Sequence, residues 1–82
     1  MHIYAGWVGR RTPAHVREYR DVQAAARWQV VQDFPEVFGK PAATSDEDMF
    51  RAVQDANSEG NYDAFLYIEV SSTGEVLTKK LW

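Results

Sequence analysis

Apolar positions are dense in residues 61–82, where two β-rich runs flank the turn signal Ser-Ser-Thr-Gly. Thr73 is β-branched and disfavours a positive φ, so the sequence favours a three-residue loop over residues 72–74 with Gly74 in the left-handed conformation. The loop length sets which residues of the two strands face each other. The predicted pairs are Ser71 with Glu75, Val70 with Val76, Ile68 with Thr78, and Phe65 with Leu81.

Both faces of this predicted hairpin are apolar. The even-numbered residues from Ala64 to Val70, together with Val76, are aliphatic and suit a hydrophobic core. The other face mixes aromatic, aliphatic and charged side chains, a composition typical of protein contact surfaces. An alternative is that a helix or a connecting segment buries part of this second face. The predicted partner-binding sheet face consists of Tyr4, Phe65, Tyr67, Leu77, Lys79 and Leu81.

The N-terminal half of the chain predicts two further strands and a helix. Residues 3–8 alternate as a strand does, and residues 15–20 are interpreted as a second strand. Residues 22–33 then predict a helix that ends before Pro35, because the residue preceding a proline is disfavoured in helices. The alternative is one long helix over residues 13–33, since a Thr-Pro pair at its start fits a helix N-terminus.

A connector over residues 35–43 leads to the second predicted helix. This helix begins at Thr44 or Ser45, each of which has an acidic residue three positions on, and it ends at Gly60. The whole chain therefore predicts a single α+β domain over residues 1–82. Its expected architecture is a mainly antiparallel sheet of about four strands, with two helices packed on one face.

Acidic and basic side chains are segregated along the chain. Three consecutive acids lie in the first turn of the second helix, where the helix dipole favours them. The bases concentrate before residue 21 and in the last strand. This distribution is either a solvated helical surface or a surface that steers a charged partner. The predicted acidic helix surface consists of Asp46, Glu47, Asp48, Asp55 and Glu59, and the predicted basic turn consists of Arg10 and Arg11.

The composition indicates a small soluble domain. A chain of 82 residues can form one core, and a hydrophobic content of 45% is too high for a disordered chain. The sequence contains no cysteine, no signal-peptide pattern and no apolar run long enough to cross a membrane. We therefore expect a cytoplasmic location without membrane association.

No residue pattern in the sequence predicts catalysis. His2 and His15 have no partner at metal-ligand spacing, and no serine or threonine has a histidine base nearby in sequence. The spacing of Gly6 and Gly9 lacks the lysine of a phosphate-binding loop. The sequence predicts a protein that is not an enzyme, with no catalytic, cofactor-binding or metal-binding residues.

The chain resembles, in general form, the small phage and mobile-element proteins that inhibit bacterial defence complexes, of which anti-CRISPR proteins are the best known. It shares their shortness, their lack of cysteine, an excess of arginine over lysine, an alanine-rich segment at residues 21–27 and an acidic helix at residues 45–48. The resemblance implies a non-catalytic phage protein that binds a CRISPR effector complex or another nuclease by surface complementarity. It also implies that the acidic helix surface faces arginines or lysines of the target.

Two other kinds of partner follow from the same residues. A nucleic-acid-binding module would use the aromatic sheet face and the basic turn, although a net charge of −3 and the acidic helix oppose contact with phosphate. A homodimer could form by pairing of sheet edges, because the last strand is short and lightly charged. The protein-binding inhibitor is the leading hypothesis, and the nucleic-acid module is its alternative.

Overall fold

The computed structural model describes residues 1–9, 15–20, 25–39 and 45–82. The described part contains strands and helices in the order β, β, α, α, α, β, β. Their bounds are β1 His2–Val8, β2 His15–Tyr19, α1 Ala25–Asp33, α2 Pro35–Phe38, α3 Asp46–Ala56, β3 Ala64–Val70 and β4 Val76–Leu81.

The four strands form one antiparallel sheet in the order β2-β1-β3-β4. The N-terminal strand β1 therefore lies in the middle of the sheet beside β3, while β2 and β4 are the edge strands. This arrangement confirms the predicted α+β fold. It also confirms the strand at residues 15–20 and excludes the alternative of one long helix through them.

The helix α1 ends at Asp33, as the following Phe34 and Pro35 predict. The predicted start of this helix at Val22 lies outside the described residues. The prediction of a connector from residue 35 was wrong at its beginning, because Pro35–Phe38 forms the short helix α2. Proline fits the first position of a helix, and the N–H of Gly39 donates to the Pro35 carbonyl oxygen at 2.8 Å to close the single turn.

A side chain caps the start of α3, and the backbone N–H of Asn57 closes its end on the Val53 carbonyl oxygen. The Asp48 N–H donates to Ser45 Oγ at 3.1 Å, which confirms Ser45 as the N-cap. The helix ends at Ala56 rather than at Gly60. Asn57 follows it and binds the backbone of Tyr62 twice, since its Nδ2 donates to the carbonyl oxygen at 2.6 Å and its Oδ1 accepts from the N–H at 3.1 Å.

The hairpin loop has the predicted form. Gly74 has a φ of +88°, and the Ser71 N–H donates to the Glu75 carbonyl oxygen at 2.8 Å. The pairing of Val70 with Val76 is also confirmed. Beyond this pair the register shifts by one residue, because Leu77 is an extra residue in a β-bulge. The predicted pairs Ile68 with Thr78 and Phe65 with Leu81 were wrong, and the observed partners are Glu69 with Thr78, Ile68 with Lys79 and Leu66 with Leu81.

One hydrophobic core lies between the sheet and the helices. Each of the three helices contributes buried side chains, and the sheet contributes alternate residues of β1 and β3. All of them therefore lie on one side of the sheet. The core cluster consists of Ile3, Ala5, Trp7, Val30, Phe34, Val37, Met49, Val53 and Phe65.

Candidate protein-binding face

The core covers the side of β3 that the sequence assigned to a partner. Phe65 is 0% exposed and lies at the centre of the core, so its prediction as a partner-binding residue was wrong. The rings of Phe34 and Phe38 contact it edge-on, with centroid distances of 5.1 and 5.6 Å. Large rings remove more apolar surface from water than aliphatic side chains do, which favours the aromatic side of the strand for the core.

Tyr67 lies on the same covered side as Phe65. It is partly buried against the core, and its hydroxyl donates to Glu69 Oε1 at 2.5 Å. Glu69 itself is only 5% exposed. Tyr67 therefore serves mainly to join β3 to the core and is not a free aromatic anchor as predicted.

The opposite side of the sheet, which we call the open face, has no described helix packed on it. Its residues follow from the register, because side chains directly opposite each other in antiparallel strands point to the same side. Two rows of such residues cross all four strands. The first row is Glu18, Tyr4, Ile68 and Lys79, and the second is Val16, Gly6, Leu66 and Leu81.

The open face is apolar across most of its width. On the central strands, neighbouring side chains leave Tyr4, Leu66 and Ile68 half-buried. At the edges, Val16 and Leu81 are exposed, and Leu81 has 61% of its surface in contact with solvent. Antiparallel sheets usually have polar side chains on a face that only water covers. This departure makes the open face the candidate binding surface.

The structure brings together only part of the predicted sheet face. Tyr4, Lys79 and Leu81 lie on the open face, while Leu77 is exposed at the bulge beside it. Sequence reasoning missed the other apolar members of this surface because it assigned the even-numbered side of β3 to the core. The pairing of Tyr4 with Ile68, and of Gly6 with both Leu66 and Val16, places them on the side of Tyr4. The missed residues are Val16, Leu66, Ile68 and Val70.

A charged group borders the apolar rows at the β2 edge. Glu18 Oε1 accepts from Arg20 Nε at 2.9 Å and from the Tyr4 hydroxyl at 3.3 Å. The hydrogen bond from Arg20 holds the pKa of Glu18 below its ordinary value, so this carboxylate is ionised at neutral pH. At the β4 edge, the same row ends in the exposed side chain of Lys79.

The predicted acidic helix surface is partly neutralised within the chain. Asp46 Oδ2 lies 3.1 Å from Lys80 Nζ, and Glu47 Oε1 lies 2.7 Å from Arg51 Nη2. The hydrogen bond from Lys80 lowers the pKa of Asp46. These two carboxylates therefore already have cationic partners.

The remaining acidic residues do not form one continuous helical stripe. Asp48 and Asp55 are on α3, but Glu59 lies in the turn beyond its end, and the expected helical spacing to Glu59 was wrong. Glu59 Oε2 accepts from Asn61 Nδ2 at 3.2 Å. The basic turn of Arg10 and Arg11 lies outside the described residues, so its position relative to these acids stays a prediction.

A polar cluster joins β2 to α1 on the covered side of the sheet. Asp33 accepts from the Tyr19 hydroxyl at 2.7 Å and from Gln29 Nε2 at 2.9 Å, and it lies 3.1 Å from Arg17 Nη1. Burial and the hydrogen bond to Asp33 raise the pKa of Tyr19 to about 12, while the Tyr19 hydrogen bond lowers the pKa of Asp33. These groups bind each other through hydrogen bonds and an ion pair, which is typical of a structural contact.

The helical side of the molecule also carries a shallow cleft of about 250 Å³, lined by Trp7, Glu36, Asn57, Glu59 and Tyr62 among others. Trp7 and Tyr62 stack there with a centroid distance of 5.2 Å. None of the described residues that line the cleft is a histidine. Within the described ranges, no three histidine, aspartate or glutamate side chains are close enough together to hold a metal ion.

A scan against protein-family models and comparisons with curated proteins and with solved structures gave no match. None of the helices in the described ranges has the length and apolar character that crossing a membrane requires. The open face and the charges that border it are therefore the basis of the functional proposal.

Proposed function

We propose that this chain is a non-catalytic protein-binding module and that the open face is a surface through which it contacts protein. The observation that carries this proposal is the apolar row from Val16 to Leu81, which crosses the whole sheet and has none of the described helices over it. Exposed apolar patches of this kind are typical of protein contact sites. Aliphatic and aromatic side chains bordered by charges match the usual anatomy of an interface core and rim.

We further propose that the protein acts on a bacterial defence complex, as its resemblance to phage-encoded inhibitors implies. The chain would inhibit by occupying a surface of a nuclease or of its nucleic-acid-guided complex. Asp55 and Glu59 would meet arginines or lysines of such a target, because both residues are exposed. A cytoplasmic site of action belongs to the same proposal.

The nucleic-acid alternative has less support than the protein-binding proposal. Stacking of bases on a sheet requires exposed rings, and Phe65 is buried while Tyr67 is bound to Glu69. Among the described residues of the open face, Tyr4 contributes the only ring of the two rows that cross the sheet. The net charge of −3 adds repulsion from phosphate.

A phage plating assay tests the proposed function. The chain is expressed in bacterial strains that each carry one active CRISPR system or restriction system directed against a test phage. Restored plaque formation in one of these strains is the expected result, because a bound effector no longer cleaves phage DNA. The isogenic strain without the defence system is the control, and its plaque number should not change.

The Leu81→Glu variant extends this assay to the open face. It puts a charge at an exposed apolar position and should reduce the restored plaque formation while the protein remains folded by circular dichroism. Unchanged plaque formation in every defended strain, with folded chain present in the cells, would contradict the inhibitor proposal. A shift of labelled single-stranded RNA or DNA by the purified chain would favour the nucleic-acid alternative instead.

A further inference from the structure

The residues of the open face complement a second copy of the same surface. An interface between two identical subunits about a two-fold axis must be self-complementary, so that each contact occurs twice. For two sheets that meet face to face, the axis lies in the plane between them. An axis parallel to the strands turns one sheet over while it keeps each row at the same height. If the axis passes between β1 and β3, β2 of one copy lies over β4 of the other, and β1 lies over β3.

This rotation pairs opposite charges in the first row. Glu18 on β2 comes to lie over Lys79 on β4 of the second copy, and Tyr4 comes to lie over Ile68. The symmetry repeats both contacts. Glu18 is already bound to Arg20 in its own chain, but a carboxylate has about four acceptor positions and can receive a further donor. Lys79 is exposed and is available as that donor.

The same rotation pairs apolar groups in the second row. Val16 lies over Leu81 of the second copy, so the two exposed edge side chains cover each other. Leu66 lies over Gly6, the one position of the row that has no side chain to collide with it. The two sheets would pack about 10 Å apart at the aligned angle that the natural strand twist produces, as in β-sandwich proteins.

We propose that two copies of this chain form a homodimer by packing their open faces together about a two-fold axis parallel to the strands. The proposal rests on the proposed function in one respect, because both take the open face as a protein contact surface. It adds that the partner of this face is a second copy of the chain. It differs from the edge pairing that the sequence suggested, because backbone groups of β2 and β4 take no part. In this dimer the helices of both copies face outward, which leaves Asp55 and Glu59 of each copy open to a target.

A charge-swap experiment tests this geometry on the purified chain. Glu18→Lys and Lys79→Glu each place like charges over one another in both symmetric contacts, so each variant alone should dimerise roughly tenfold or more weakly than the natural chain. An equimolar mixture of the two variants restores an attractive pair at both contacts. Sedimentation equilibrium should therefore find a heterodimer in the mixture that is tighter than either homodimer.

Two further variants separate apolar contact from general surface effects. Leu81→Glu should weaken the dimer strongly, while Trp28→Glu, at a similarly exposed site on α1, should leave it unchanged. A natural chain that remains a monomer up to millimolar concentration would overturn the proposal, and so would a mixture that dimerises no better than its components. If the natural chain is a monomer and the Leu81→Glu variant still loses activity in the plating assay, the dimer is overturned and the proposed function is retained.

Discussion

Gly6 has a backbone that is tightly constrained by the neighbouring strand. Its φ is +156°, and a Cβ built on it would lie 2.0 Å from the His15 carbonyl oxygen and 2.6 Å from Val16 Cα. Both atoms belong to the backbone of the neighbouring strand β2, which cannot rotate away as a side chain can. Only glycine allows β1 and β2 to approach so closely at this point.

We predict that Gly6→Ala lowers the free energy of unfolding by about 1–3 kcal/mol, because β2 must shift to make room. Gly74→Ala is the control. That residue also has a positive φ, but nothing lies within 4 Å of an added Cβ, so it should lose only about 1 kcal/mol from backbone strain. Urea denaturation at low protein concentration measures both values. A smaller loss for Gly6→Ala than for Gly74→Ala would contradict this account.

The carboxylate of Asp33 makes the stability of the β2–α1 contact dependent on pH. Its pKa is lowered in the folded chain, mainly by the hydrogen bond from Tyr19, so it stabilises the fold above the pKa of about 3.9 that an unfolded aspartate has. The contribution is lost as the pH falls through the lower folded value. Asp33→Asn should therefore reduce stability at neutral pH, and the difference from the natural chain should shrink below about pH 4.

Urea denaturation of both proteins across acidic and neutral pH provides the measurement. Tyr19→Phe is the matched control, because it removes one hydrogen bond and leaves the Arg17 and Gln29 contacts of Asp33 in place. It should cause a smaller loss than Asp33→Asn at neutral pH. A difference that stays constant into strong acid would show that the ionised carboxylate is not the stabilising form.

Within the strand β3, adjacent side chains point to opposite sides of the sheet. Phe65 lies in the core, and Leu66, one position on, lies on the open face. We predict that Phe65→Ala costs about 3–5 kcal/mol of unfolding free energy and that Leu66→Ala costs clearly less, because only the first leaves a core cavity. Thermal and urea unfolding provide the comparison. Phe65→Leu keeps the test measurable if the alanine variant does not fold, and equal losses at both positions would contradict the assignment of faces.

Local signals in the sequence were sufficient to predict most of the elements. Runs of strand-forming residues indicated β1, β3 and β4, Ser45 had the chemistry of a helix cap, and Gly74 can adopt the positive φ that the hairpin loop requires. These features depend on neighbouring residues alone, so they can be predicted without knowledge of the tertiary structure.

The side of β3 that faces the helices could not be predicted in the same way. Both sides of the strand are apolar, so alternation does not distinguish them, and the packing of Phe34 and Phe38 around Phe65 decides the outcome. The bulge at Leu77 has no glycine to indicate it. The helix α2 was hidden for a related reason, since Pro35 and Gly39 are usually signs of a loop. The candidate site was therefore located only in part, at Tyr4, Lys79 and Leu81.

In the molecule as a whole, charges lie on two surfaces, the acidic helix surface and the border of the open face. Each of these surfaces can contact a different partner. We predict that Asp55→Lys combined with Glu59→Lys weakens inhibition of a basic target in the plating assay and leaves the dimer of the open faces intact. Lysine is favourable near the C-terminal end of α3, where Asp55 lies, so the double variant should remain folded by circular dichroism. Glu36→Lys combined with Glu75→Lys, at two exposed positions outside α3, raises the net charge by the same four units and is the control. Full inhibition by the double variant would remove the acidic surface from the contact with the target.

The bulge in β4 limits the association of further chains along the edge of the sheet. An edge strand presents unpaired N–H and C=O groups, and a long flat edge invites further chains to add one after another into fibrils. The extra residue Leu77 interrupts that ladder near the start of β4, and the exposed charge of Lys79 repels an identical strand alongside. Growth along the edge is thereby discouraged, so a chain that joins its copies by their faces can close into a pair and remain dispersed at high concentration.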